Sequence, residues 1–265
     1  IMSKAGTEMF LEIVYDRYGK EFKAYFGDTV KGIFTDEPRH FAKNPPRGGK
    51  AFTAGMLDYL KENGFEEEQL PLLWFGGEGK QRAERDFERI VGKRLYEYYF
   101  KPAGERCEKM GTHLTGHPMR PDDLLNMSAM GIPAQDIVWR WVEPGSENAI
   151  NSEESTSAKA CSDTARHLQR ERNGNEVFGA FGWNLTTYEM KWLLDWLFLR
   201  GTNLIFPHAF YYSVEGQRPK ESPPDVGPNN LWWPYFEKFS DYIKLMCRLN
   251  TGSKNHANIA VLTDS

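Results

Sequence analysis

The sequence predicts an α/β fold: a (β/α)8 barrel of the TIM type, N-terminally incomplete, with about five strands visible. Three observations predict it. Short apolar runs alternate with amphipathic helical stretches, the apolar runs are continuous, and they end in polar or charged residues. The first two describe a parallel sheet covered by helices. The third describes the active-site face of a barrel, where polar side chains gather at the C-terminal ends of successive strands. A doubly wound sheet loses support because no Gly-rich phosphate loop follows any strand.

Taken in order, Met9, Phe10, Ile13 and Val14 recur at three- and four-residue spacing and predict a helix from Thr7 to Phe26, broken by Gly27-Asp28. Val30 to Phe34 is a buried strand that runs into Thr35-Asp36-Glu37-Pro38, where proline stops it. The Gly-, Pro- and charge-rich stretch at about 39–79 reads as an insertion holding one short helix near Thr53 to Asn63. Lys80 to Met110 is a long amphipathic helix with Phe87, Ile90, Val91, Leu95 and Tyr98 on one face. Strands follow at Thr112–Thr115, Asp136–Val142, Glu176–Phe181, Asn203–Phe206 and Ile259–Leu262. Helices fall at Ser155–Glu171, Thr186–Leu199 and Pro234–Arg248, with Thr186 or Asn184 as an N-cap for the second. Residues 1–256 thus read as the C-terminal portion of a catalytic barrel. Residues 257–265 read as the start of a following domain or a tail, with the remaining strands and domains in a larger parent chain.

Composition narrows the class. Lys and Arg number 33 against 37 Asp and Glu, a formal net charge of −4, which argues against a nucleic-acid partner. No apolar run approaches the ~18 residues of a membrane span; Trp192 to Phe206 is interrupted by Asp195, Arg200 and Asn203. Cys107, Cys161 and Cys247 lie far apart without zinc-ligand spacing, so they read as thiols of a reducing, cytoplasmic compartment. No metal site is expected from spacing. The aromatic fraction, 14%, is high, and serves either a large aromatic core or flat faces for a ligand.

The candidate chemistry begins at Asp36-Glu37. An arbitrary Asp-Glu pair is a solvated turn, but at the end of a buried strand it points acidic groups into a barrel mouth. Donating a proton to a leaving oxygen needs a carboxylic acid so placed. Glu176 opens a strand with almost no other charge: it either faces a polar cavity or sits exposed at the barrel's base. Asp136 and Glu143 bracket Arg140, an ion-pair partner for one of them, or serve as ligands to sugar hydroxyls or a metal. His113, His117 and His208 lie at or beside strand ends, and the last two adjoin prolines, which suits hydrogen bonds to substrate. Trp139, Trp183 and Tyr211 gather near the same ends and offer stacking faces, whereas Trp192 and Trp196 have the spacing of core residues. A Ser/His/Asp triad lacks its G-x-S-x-G elbow.

On these residues the chain resembles the bacterial (β/α)8 glycoside hydrolases, near the α-L-rhamnosidases of glycoside hydrolase family 106. Gly32-Ile33-Phe34-Thr35-Asp36-Glu37-Pro38 is similar to their acid-bearing strand. Ser157 to Ser162 through Glu176-Val177-Phe178 resembles them too, as does Trp192 to Tyr212, ending Phe206-Pro207-His208-Ala209-Phe210-Tyr211-Tyr212. The resemblance implies that the visible strands are the fourth to eighth, with Glu37 ending the fourth and Glu176 on the seventh. Those positions hold acid/base and nucleophile in the broad retaining clan. The rhamnosidase branch inverts, uses the second carboxylate as base and binds calcium, and Asp136 matches an acidic position that contacts sugar or metal. The retaining clan's usual Asn-Glu is Asp36-Glu37 here, and Asp136 stands where the rhamnosidases carry glutamate.

The leading expectation is therefore glycosidic bond hydrolysis, with Glu37 as general acid, Glu176 as base or nucleophile, and a carbohydrate as partner. Asp36, His113, His117, Asp136, Trp139, Trp183, His208 and Tyr211 are the expected substrate contacts, and no cofactor is required apart from the calcium the resemblance implies. The alternative is a carbohydrate-binding barrel without turnover, or a scaffold portion of a larger glycosidase. A barrel lyase or aldolase ranks last, because Lys31 precedes its strand instead of ending it.

Overall fold

The structure, a computed structural model, describes residues 3–39, 48–137 and 142–259. It is a mixed α/β chain of short parallel strand pairs and helices that divides into two compact units, Ile1–Asp136 and Ile137–Ser265.

The first unit opens with α1 (Lys4–Leu11), capped by the Ser3 hydroxyl, which accepts from Gly6 N–H. A π-turn and α2 (Arg17–Phe22) continue it. Strand β1 (Gly32–Asp36) follows, then α3 (Met56–Glu62), α4 (Leu72–Phe75), α5 (Lys80–Leu95) and α6 (Lys101–Lys109). Strand β2 (His113–His117), α7 (Leu124–Met127) and β3 (Ala134–Asp136) complete it. Strands β1 and β2 pair in parallel, Gly32 with His113 through Asp36 with His117. Alternation sets two faces. Ile33 and Leu114 turn toward the helices and join Leu11, Phe87, Ile90 and Phe100 in one apolar core. Phe34, Asp36, Thr115 and His117 share the opposite face.

The long helical run expected over Lys80–Met110 is present but passes through a π-turn at Tyr96–Phe100. That extra residue per turn is a common insertion device at functional sites. Here it brings Tyr99 Oη within 2.8 Å of Thr35 Oγ1, tying the helix to the residue before Asp36. Residues 48–75 contribute Ala51, Met56, Tyr59, Leu60, Phe65 and Leu73 to the same core. Arg94, 2% exposed, holds them: it donates to the carbonyls of Gly55 (3.0 Å) and Ala54 (2.8 Å) and lies over the Tyr59 and Tyr98 rings.

The second unit holds α8 (Asn148–Asn151), α9 (Glu153–Ser157), α10 (Ala160–His167), β4 (Gly174–Val177), α11 (Thr187–Phe198), β5 (Ile205–Pro207) and α12 (Phe236–Asn250). Helix α11 starts with a capping box in which Thr186 and Glu189 satisfy each other's backbone N–H; of the two N-caps the sequence offers, Thr186 is the one used. Strands β4 and β5 are parallel, with Asn175, Glu176 and Val177 opposite Ile205, Phe206 and Pro207. Their N-terminal ends are stapled by buried amides: Asn175 Nδ2 donates to Thr202 Oγ1 (2.7 Å), and Asn173 N–H to Asn203 Oδ1 (2.9 Å). The core beneath is Val177, Phe178, Leu193, Leu194, Leu197, Phe198 and Cys247.

The expected strands shift: Val30–Phe34 lies at Gly32–Asp36 and Asn203–Phe206 at Ile205–Pro207. Most of the one expected at Asp136–Val142 falls on 138–141, outside the described residues; the strand described beside them is Ala134–Asp136, so Asp136 closes a strand instead of opening one. Ala134 and Gln135, both 0% exposed, have weak strand propensity and are held by burial. The strand expected at Glu176–Phe181 is Gly174–Val177, because Phe178 (φ 78°) and Ala180 (φ 59°) turn the chain into the left-handed region. The one expected at Thr112–Thr115 runs on to His117. The strand expected from Ile259 falls, apart from that residue, outside the described residues, as does Trp139.

Candidate functional site

In the first unit the site is built on the C-terminal ends of β1 and β2. Asp36 is the last residue of β1, and its carboxylate oxygen lies 3.6 Å from Nε2 of His117, which ends β2. His117 is 2% exposed, and Phe34 meets its ring edge-on at 5.7 Å. Glu37 extends the ladder by one bond, donating its N–H to the His117 carbonyl (3.1 Å). Its backbone is left-handed, φ 41°, which costs a non-glycine residue about 1 kcal/mol or more. The turn swings the Glu37 side chain out of the strand's alternation before buried Pro38 fixes the exit. The carboxylate meets the Arg39 guanidinium. Both side chains are about one-third exposed, so this pair is worth no more than about 1 kcal/mol and does not lock Glu37. Asp136, half-buried, ends β3.

His113 requires a correction. It opens β2, so it lies four residues, roughly 13 Å, from His117 along the strand. There it packs so closely on Gly131 that a Cβ at that position would fall 2.3 Å from its Nδ1. That location removes it from the strand-end cluster.

In the second unit Glu176 is the next-to-last residue of β4, since the strand begins at Gly174. It is therefore near the C-terminal end of that strand. Asn175 and Val177, both 0% exposed, face the helices, and half-buried Glu176 takes the other side, beside Phe206 on β5. As at β1, a non-glycine residue with positive φ follows within two positions.

His208 comes directly after β5 and donates its N–H to the Val177 carbonyl (2.8 Å). Tyr211 and Trp183 meet edge-on at 6.3 Å, and Trp183 Nε1 donates to the Pro219 carbonyl (2.7 Å). Trp183 is thus a loop residue and not a core one, unlike Trp196, 6% exposed and stacked on Trp192. Sequence reasoning missed Asp225, which organises this loop. It is 0% exposed, and its carboxylate accepts from the N–H groups of Tyr211 (3.1 Å), Gly227 (2.7 Å) and Asn229 (3.2 Å) and from Asn229 Nδ2 (2.7 Å). The signal was present as Pro223-Pro224-Asp225 followed by Gly227, Asn229 and Asn230, a run of residues that make side-chain-to-backbone turns.

In the first unit Asp36 brings a carboxylate oxygen beside an imidazole nitrogen; the calcium that the family resemblance implies takes six to eight oxygens.

The sequence matches no protein-family model and no curated protein. The structure is similar to that of a rhamnosidase from Novosphingobium sp. PP1Y, with a TM-score of 0.67 at 16% identity. The match covers 96% of this chain and 25% of that one, so the chain spans about a quarter of the length of the structure it resembles. At that identity the likeness concerns the fold. Among the described residues no helix is long and apolar enough to cross a membrane.

Proposed function

We propose that this chain is the C-terminal portion of a (β/α)8 glycoside hydrolase, rhamnosidase-like, with Glu37 as general acid and Glu176 as base or nucleophile. The observation that carries the reading is shared placement. Each carboxylate stands at the C-terminal end of a short parallel strand, on the side away from that strand's helices or beyond its last residue, and beside a left-handed non-glycine turn. The fold likeness to a rhamnosidase supports it.

In this reading Glu37 protonates the glycosidic oxygen as the bond to the anomeric carbon breaks. Glu176 either takes a proton from the attacking water or bonds to the anomeric carbon itself. A separation of roughly 6.5–9.5 Å between the carboxyls gives the first outcome, and roughly 5–5.5 Å the second. Asp36, His117, Asp136, Trp183, His208 and Tyr211 bind the sugar.

The test is hydrolysis of p-nitrophenyl α-L-rhamnoside. Glu176→Gln should lower kcat by about 10²–10⁴-fold with the fold intact. An unchanged kcat refutes the role. The second reading, carbohydrate binding without turnover, draws on the contact between Arg39 and Glu37, which engages the carboxylate. It predicts saturable binding of rhamnosides by a chain that never releases nitrophenol.

A further inference from the structure

A cavity of about 330 Å³ opens beyond the C-terminal end of β5, and His208, Tyr211, Tyr212, Ser213, Arg218 and Glu221 line it. That volume is at the lower end of the range for small-ligand sites, so it suits one or two ring-sized units. Its rim is braced. The Tyr211 hydroxyl donates to the Glu221 carbonyl, Trp183 Nε1 holds the carbonyl of Pro219, and Asp225 grips the Tyr211 N–H. Burial and the nearby charges of Asp225 and Glu221 push the Tyr211 phenol up, so it stays neutral and able to donate.

Two features ask for a ligand. Among the described residues, the Arg218 guanidinium and the Glu221 carboxylate make no ion pair and no side-chain hydrogen bond, either with each other or with a third group. Opposite charges lining one small cavity without pairing are a donor and an acceptor set apart, an arrangement that vicinal hydroxyls bridge. Nδ1 of His208 is also buried without a hydrogen-bond partner. His208 lines the cavity, so a ligand there finds a ring nitrogen that no protein group satisfies.

We propose that this cavity is a subsite for an uncharged sugar unit, with Arg218 and Glu221 binding neighbouring hydroxyls and the Tyr211 ring supplying the stacking face. The inference rests on the carbohydrate reading above and adds the substrate's charge class: the opposite charges cancel, so the site selects a neutral ring over a uronate.

The test is titration of the chain with methyl α-L-rhamnoside, methyl α-D-glucoside, methyl α-D-galactoside and sodium glucuronate, followed by calorimetry and by the His208 imidazole resonances. At least one neutral glycoside should bind and move the His208 signals. Arg218→Met and Glu221→Gln, both exposed positions, should each weaken that binding at least tenfold while the thermal midpoint stays within a few degrees. Glucuronate binding more tightly than every neutral glycoside, no binding by any of the three, or binding indifferent to both variants would overturn the subsite. Turnover that depends on Glu37 but not on Arg218 or Glu221 would overturn the subsite and leave the hydrolase reading standing. Intact binding without any turnover does the reverse.

Discussion

Asp225 shows how one residue organises a site from a distance. A carboxylate with no solvent contact is tolerated because four donors surround it: the N–H of Tyr211, and from its own turn the N–H groups of Gly227 and Asn229 and the Asn229 amide. Asp225→Ala strands those donors in the interior and should cost roughly 3 kcal/mol or more. Asp225→Asn keeps the shape but exchanges one acceptor for a donor, and should cost about half as much. Urea denaturation of the two variants checks the order. Equal midpoints would mean that the loop finds other partners. Glu37 works at the same scale by backbone means: its left-handed conformation aims a side chain that strand alternation would have sent elsewhere.

At the scale of elements, the β1–β2 pair depends on one glycine. Gly116 has φ 97°, and a Cβ there would lie 2.0 Å from the Thr35 carbonyl oxygen. Gly116→Ala should therefore force the strands apart at the register position next to Asp36 and His117, destabilising the first unit by at least about 2 kcal/mol. A circular-dichroism melt reads the effect, and a wild-type midpoint would contradict the close approach. Elements with a strong period were legible in the sequence: the apolar face of α5 and the order of strand and helix, with the N-cap of α11 narrowed to Thr186 or Asn184. What escaped was held by tertiary context. Ala134-Gln135-Asp136 is a strand with little propensity for one, and Phe178 leaves β4 through a conformation that no local signal encodes. At the site, Glu37 was visible as a carboxylate at a strand end, and Glu176 as a strand carboxylate whose end was left open. The expected strand Thr112–Thr115 already set His113 near its start; what the sequence did not show is that the strand runs on to His117.

At the scale of the whole molecule, both units bury thiols. Burial pushes Cys107 in the first unit and Cys161 in the second from 9.0 up to about 12, and Cys247 up to about 11. A thiol-disulfide reagent at pH 8 should label none of the three in the native chain and all of them in denaturant. The folded thiols keep their protons where unfolded ones lose them. Their contribution to stability is thus complete below about pH 9 and is lost as pH rises toward 11–12, a sign that the buried Tyr15 and Tyr99 phenols, also raised, reinforce at higher pH. A urea midpoint that falls between pH 8 and pH 10.5 fits; a flat one does not.

The carboxylate assignment that unites these scales is tested most directly by the leaving-group dependence of Glu37→Gln. With a poor, alkyl leaving group the variant should lose about 10²–10⁴-fold in kcat, while an activated nitrophenyl leaving group, which departs without protonation, should lose far less. Equal losses on both substrates, or full activity on the alkyl glycoside, would contradict Glu37 as the proton donor.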